Sequence, residues 1–134
     1  MKKIIIVTHG TLCEGFLSSM KIITGSNENI DTVSLDIVET IEVMSEKVLD
    51  VIKTYDEQDT VIILTDLAIG TTTKCIFPLF EERELYVISG VNLPMLLEIY
   101  LTDLSEEPYE KLKTIVENCK ATMLFINEEI NNME

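Results

Sequence analysis

Apolar residues recur along this chain in two rhythms that alternate. Short continuous runs, rich in β-branched residues, stand at 4–7, 61–64 and 85–88. A run that is apolar at every position reads as a strand covered on both faces, as in a parallel sheet. A looser run, with Ile30, Val33, Leu35 and Ile37 apolar, reads as a strand nearer an edge. Between the runs the period lengthens to that of a helix. Leu12, Phe16, Met20 and Ile23 share one face, with Gly25 as the stop. Ile41, Met44, Val48, Val51, Ile52 and Tyr55 form a second stripe. A shorter helix is predicted from about Thr71 to Phe80, with Pro78 straining its last turn. Pro94 and Pro108 each suit the first turn of a helix. Behind Pro108, the residues Tyr109, Leu112, Ile115, Val116 and Cys119 give another apolar face. "ATMLFI", residues 121–126, reads as a short final strand, and the polar tail from about residue 127 as frayed.

Strand and helix in alternation predict an α/β fold: a doubly wound, mainly parallel sheet of order 2-1-3-4 with helices on both faces. No linker or repeat interrupts residues 1–134, so one domain is expected, and 134 residues suffice to bury a core. The formal net charge is −14, with ten Lys and Arg against twenty-four Asp and Glu. That balance leaves no basic face for a nucleic acid. Cys13, Cys75 and Cys119 are an odd set without metal-ligand spacing, which reads as reduced thiols in a cytoplasmic protein. No apolar stretch approaches the length of a membrane span, and the run after Lys3 is too short for a signal peptide.

The candidate chemistry lies at the strand ends. Ligands of open α/β sheets sit beyond the carboxyl ends of the strands, where the strand order reverses. In the order 2-1-3-4, strands one and three are neighbours there. Strand one ends at His9, the single histidine, and strand three ends at Asp66. A carboxylate that accepts from one ring nitrogen fixes the tautomer and leaves the other nitrogen a free lone pair. The alternative is a structural histidine satisfied by a nearby acceptor. In "DLAIGTTTK", residues 66–74, Gly70 and Thr71 resemble the entry to a helix, whose unpaired amides attract anions. An ordinary Thr N-cap beside a turn glycine is the plainer reading of that stretch. Cys13 lies four residues from His9, so a Cys/His pair stands beside a small buried residue at a helix start as a reading of that position. "GTTTK" lacks the ending of a P-loop, and "HGTLCEG" does not match the dinucleotide fingerprint. There is no Gly-x-Ser-x-Gly elbow. One histidine without a Cys-x-x-Cys pair argues against zinc. Thr8 and His9 stand where an aspartate-phosphorylating receiver domain needs acidic magnesium ligands.

Four stretches together resemble one known family: "IIIVTHGTLCEGFLSS" at 4–19, "VIILTDLAIGTTTK" at 61–74, "VISGVNLPMLLE" at 87–98, and the helix from Pro108 onward. They resemble the enzyme IIA component of the mannose family of the bacterial sugar phosphotransferase system, over nearly the whole chain. The resemblance implies that His9 is a phosphoryl acceptor and that Asp66 orients it. Gly10, Gly70 and Thr71 are the candidate phosphoryl-binding positions. It implies a relay in which the phosphocarrier protein HPr donates and a IIB subunit accepts. Membrane subunits IIC and IID are then indirect partners. Neither metal nor cofactor is expected, and the location is cytoplasmic or peripheral to the transporter. Family members are homodimers that exchange a C-terminal strand, for which "ATMLFI" is the candidate. The chain departs from the family's Asp-x-x-Gly-Gly-Ser-Pro-x-Asn: Ile69, Thr71, Thr72 and Lys74 stand for the first Gly, the Ser, the Pro and the Asn. The departure bears on the phosphate contacts more than on His9. It also admits a regulatory module whose phosphorylation state a partner reads. A His/Asp hydrolase of small esters is the third reading, with Cys13 or Thr11 as its only nucleophiles.

Overall fold

A computed structural model of the chain describes residues 1–36 and 38–133. Two compact units are present, Met1–Leu93 and Pro94–Glu134. The first holds a four-stranded sheet of β1 (Lys2–His9), β2 (Ile30–Leu35), β3 (Thr60–Thr65) and β4 (Tyr86–Ser89). Every pairing is parallel and the order is β2-β1-β3-β4, as the alternation predicts. β2 is an edge strand, and Ile37, which the sequence pattern added to it, lies outside the described residues. Parallel neighbours need crossover segments. These are supplied by α1 (Leu12–Thr24), α2 (Ile41–Ile52) and α3 (Thr71–Lys74), the last followed by a 3-10 turn at Phe77–Glu81.

The continuous apolar runs are explained by burial on both faces of the sheet. Ile5, Val7, Val33, Leu35, Val61 and Ile63 point to one side. There they pack with Met44, Val48 and Ile52 of α2 and with Cys75, Ile76 and Leu79. Ile4, Ile6, Ile62 and Leu64 alternate with them and are equally buried. α1 lies against β1 and β2 on that other side, where its Cys13 amide binds the Thr8 hydroxyl. Each such side chain contributes roughly 1.5–3 kcal/mol by leaving water.

Two expectations for the first unit need correction. The inner face of α1 is turned by one residue: Cys13 and Met20 are buried, whereas Leu12 and Ile23 are each 53% exposed. Local anchoring outweighs the period here. Gly10 adopts a left-handed φ of 58°, and the Thr8 side chain accepts from the Cys13 amide at 2.9 Å, which points Cys13 inward. The helix predicted over 71–80 is broken, because Pro78 offers no amide and the chain tightens to a 3-10 turn around it.

The second unit carries α4 (Leu93–Leu101), α5 (Pro108–Lys120) and α6 (Ile126–Asn132), with Pro94 and Pro108 in the first turns of α4 and α5. The strand predicted over 121–126 is not formed within the chain. Residues 121–122 form a turn, 123–125 are irregular, and α6 begins at Ile126, in the segment expected to be frayed. A strand needs a neighbour for its backbone groups, and among the described residues this stretch has none. Met123, Leu124, Phe125 and Ile126 are all exposed.

Cys13, Cys75 and Cys119 are free thiols and all buried. Burial pushes Cys75 up to about 11, and burial with the Glu98 carboxylate pushes Cys119 up to about 11. Thiol-specific labelling of the native protein is therefore expected to be far slower than labelling in denaturant, where all three react. Fast native labelling would contradict this packing.

Candidate functional site

β1 and β3 are parallel neighbours, with Val7 opposite Thr65. Their carboxyl ends therefore leave the sheet side by side, and the next residues on each strand face one another. Asp66 uses one carboxylate oxygen, Oδ2, to accept from both the His9 amide (2.8 Å) and the His9 ring at Nδ1 (2.9 Å). Its other oxygen, Oδ1, accepts from the Leu67 amide at 2.9 Å and the Thr72 hydroxyl at 2.7 Å. The ring of His9 is half exposed, at 49%, while the Asp66 side chain is only 12% exposed. A carboxylate held under a solvent-facing imidazole is thus what the topology yields, as the strand order predicts.

The electrostatics follow from the donor count. Burial pushes the Asp66 carboxyl up, but the His9 amide, the His9 ring and the Thr72 hydroxyl outweigh it and hold the group below its ordinary value. An ionised carboxylate only accepts, so the proton of a neutral His9 ring belongs on Nδ1. Nε2 then keeps its lone pair and points away from Asp66. Thr71 Oγ1 lies 3.4 Å from Nε2. Gly70 runs beside the ring; a Cβ there would lie 3.8 Å from His9 Cε1.

Of the candidate residues, His9, Asp66, Gly70 and Thr71 come together. Gly10 adjoins His9 in sequence, but its amide donates to the Leu35 carbonyl at 3.1 Å. Its contribution is the left-handed turn that starts α1. Cys13 is buried, with its sulfur near Ser34 Oγ (3.4 Å) and the Gly10 carbonyl, so its known contacts do not make a Cys/His pair. Lys74 is exposed, as a solvated helix lysine would be. The N-cap of α3 is Gly70, without a side-chain cap, so none of the threonines plays that part. Instead the three consecutive threonines take separate tasks. Thr71 approaches His9, Thr72 bonds Asp66, and Thr73 donates to the Leu67 carbonyl at 2.6 Å. Thr72 and Thr73 went unassigned from the sequence. The only available signal was the row of hydroxyls just after an acidic strand end.

An open pocket of about 700 Å³ adjoins the ring, and its lining includes His9, Gly10, Thr11, Asp36, Glu39 and Lys47. Lys47 reaches Glu39 and the Ser34 carbonyl. Among the described residues no three of His, Cys, Asp and Glu gather as metal ligands.

Comparison with known proteins adds an independent line. The model of the family described as "PTS system fructose IIA component" matches residues 3–116. The fructose-specific EIIA component of Bacillus subtilis (strain 168) is 30% identical over 122 residues, covering 90% of this chain and 81% of that protein. The mannose-specific EIIAB component of Escherichia coli (strain K12) is 28% identical over 110 residues, 81% of this chain, which spans only 34% of that longer protein. In fold, the chain is similar to the mannose/sorbose-specific IIA subunit of the Enterococcus faecalis phosphotransferase system. The TM-score is 0.80 at 23% identity, over 92% of this chain and 96% of that one. The matched span contains the whole parallel sheet and both residues at its carboxyl edge, and the chain belongs to the mannose/fructose-type IIA family of the sugar phosphotransferase system.

Proposed function

We propose that this chain is a phosphoryl carrier in sugar uptake, taking the phosphoryl group from phospho-HPr onto His9 Nε2 and passing it to a IIB subunit. The observation that carries the reading is the 2.9 Å contact between Nδ1 and Asp66 Oδ2 beneath a half-exposed ring. Nε2 is the only ring nitrogen with a free lone pair. It attacks phosphorus in line as the donor's P–N bond breaks, and the electron pair of that bond stays on the donor ring. The attacking imidazole gains positive charge while Nδ1–H remains on His9. Asp66 lies where that charge develops and stabilises it. The Thr71 hydroxyl is within reach of an oxygen on a group carried by Nε2. The amides of Thr71, Thr72 and Thr73 precede the first intrahelical bond of α3, from the Lys74 amide to the Gly70 carbonyl, and are the donors we assign to the phosphoryl oxygens. Transfer to IIB is the same displacement in reverse. The supporting test is a relay with purified general phosphotransferase proteins. The chain should gain one acid-labile phosphoryl group and lose it when IIB is added. Acceptance without release to any IIB would favour the regulatory reading instead.

The protein is read as a homodimer in which the apolar stretch 121–126 finds its partner on a second copy. Met123 is 91% and Phe125 68% exposed, and Phe125 already has extended backbone angles. Phe125→Glu places a charge in that contact, so sedimentation is expected to show monomer where the unaltered chain shows dimer. An unaltered chain that sediments as a monomer, or a variant that stays dimeric, would refute it. Among the described residues no helix is long and apolar enough to cross a membrane.

A further inference from the structure

We propose that Thr72 is a positioning residue for the proposed phosphoryl transfer: its hydroxyl fixes the Asp66 carboxylate, and through it the His9 tautomer that leaves Nε2 free. The inference rests on the reading of His9 as the phosphoryl carrier, but its geometry stands on its own. Thr72 is fully buried, and its Oγ1 donates to Asp66 Oδ1 at 2.7 Å. The direction is fixed, because an ionised carboxylate has no proton to give. Thr72 and the His9 ring each bond this carboxylate through a side chain, and the amides of His9 and Leu67 donate to it as well.

The arrangement works as a clamp on the rotation of the carboxyl group. Two donors on Oδ1, from Leu67 and Thr72, set the carboxylate plane. That plane directs Oδ2 at Nδ1 of His9. With the hydroxyl removed, only the Leu67 amide on Oδ1 and the His9 amide on Oδ2 still hold the plane, and it is fixed less tightly. A free neutral imidazole in histidine favours the proton on Nε2, so the protein has to bias the ring toward the Nδ1–H form. Whatever loosens Oδ2 gives part of that bias back. The threonine stands where the family pattern quoted above has proline, which has no hydroxyl.

The two neighbouring threonines do not duplicate the role. Thr73 donates to the Leu67 carbonyl, and the Thr65 hydroxyl lies 2.8 Å from it. That pair secures the loop backbone. Thr71 reaches the far side of the ring.

The test uses the single histidine of the chain, whose two ring nitrogens give unambiguous ¹⁵N signals. The neutral-form tautomer ratio is read in unphosphorylated protein for the unaltered chain, Thr72→Val and Thr72→Ser. Val keeps the shape and loses the donor; Ser keeps the donor. The Nε2–H population is expected to rise on the order of tenfold in Thr72→Val, about what one charge-assisted hydrogen bond sustains. It should return toward the original value in Thr72→Ser. If Val at this buried position does not fold, the comparison of Thr72→Ala with Thr72→Ser carries the same contrast. An unchanged ratio in the variant lacking the hydroxyl, or a shift that Ser does not reverse, overturns the inference. Phosphoryl acceptance by the unaltered chain is measured beside it. Failure of that control refutes the carrier reading, while the tautomer result judges the clamp independently.

Discussion

Replacing His9 by glutamine is expected to abolish phosphoryl acceptance and leave the fold as it is. The two halves of that expectation have separate causes. Glutamine offers an amide, not a nitrogen lone pair able to form a bond to phosphorus, so the acceptor is gone rather than weakened. The fold loses little because the imidazole is half exposed and buries little apolar surface. The backbone amide of residue 9, which also bonds Asp66, is unaffected by the change. Loss of the ring's hydrogen bond to Asp66 costs about 1–3 kcal/mol where the glutamine amide does not replace it, which lowers the melting point without changing the fold. Intact protein mass after incubation with phospho-HPr checks the first half, and thermal unfolding checks the second. A His9→Gln protein that still takes up phosphate would place the acceptor elsewhere.

Asp66→Asn is expected to be the second most damaging change, and to act on both rate and stability. Each carboxylate oxygen accepts one backbone amide, from His9 on Oδ2 and from Leu67 on Oδ1. An asparagine has only one accepting oxygen. Whichever way it is turned, its NH₂ group faces a backbone donor. If the NH₂ faces His9, it also donates to Nδ1 and drives the proton to Nε2, which removes the nucleophilic lone pair. Transfer is expected to fall on the order of 10²–10⁴-fold, the range seen when an imidazole loses the acid that sets its tautomer. A buried donor without an acceptor costs about 1–3 kcal/mol. Rapid-quench kinetics with phospho-HPr and denaturant unfolding measure the two effects. A variant as fast as the parent would contradict the assigned role.

The same carboxylate makes stability depend on pH in a fixed direction. Its pKa in the folded chain is lowered from 3.8. The stabilisation it supplies is therefore complete above about pH 4 and is lost as pH falls through the lower folded value. Asp66→Asn should flatten that part of the acid-unfolding curve and leave the curve near neutrality displaced but parallel.

How much of this was legible beforehand differs from one element to the next. The runs at β1 and β3 were readable because both faces of those strands are covered, so every position is apolar. Once they were placed as parallel neighbours, His9 and Asp66 followed from where the runs stop. The inner face of α1 was readable in part: a buried Cys13 was one reading of that position, while the helical stripe put Leu12 inside, and a hydrogen bond to Thr8 chose Cys13. Nor could three identical threonines at 71–73 be told apart by composition. Their tasks depend on side-chain directions in a one-turn helix, which sequence period does not encode. For 121–126 the apolar pattern was legible, but a strand is made by its neighbour, and none of the described residues supplies one.

The central claim is a phosphorus–nitrogen bond at one ring nitrogen, and NMR of phosphorylated protein carrying ¹⁵N-labelled histidine tests it most directly. With a single histidine in the chain, any such bond has only two sites to occupy. A ³¹P signal coupled to Nε2, with Nδ1 still protonated against Asp66, is the predicted result. A bond at Nδ1, or a phosphoryl group with no ring nitrogen attached, would contradict it.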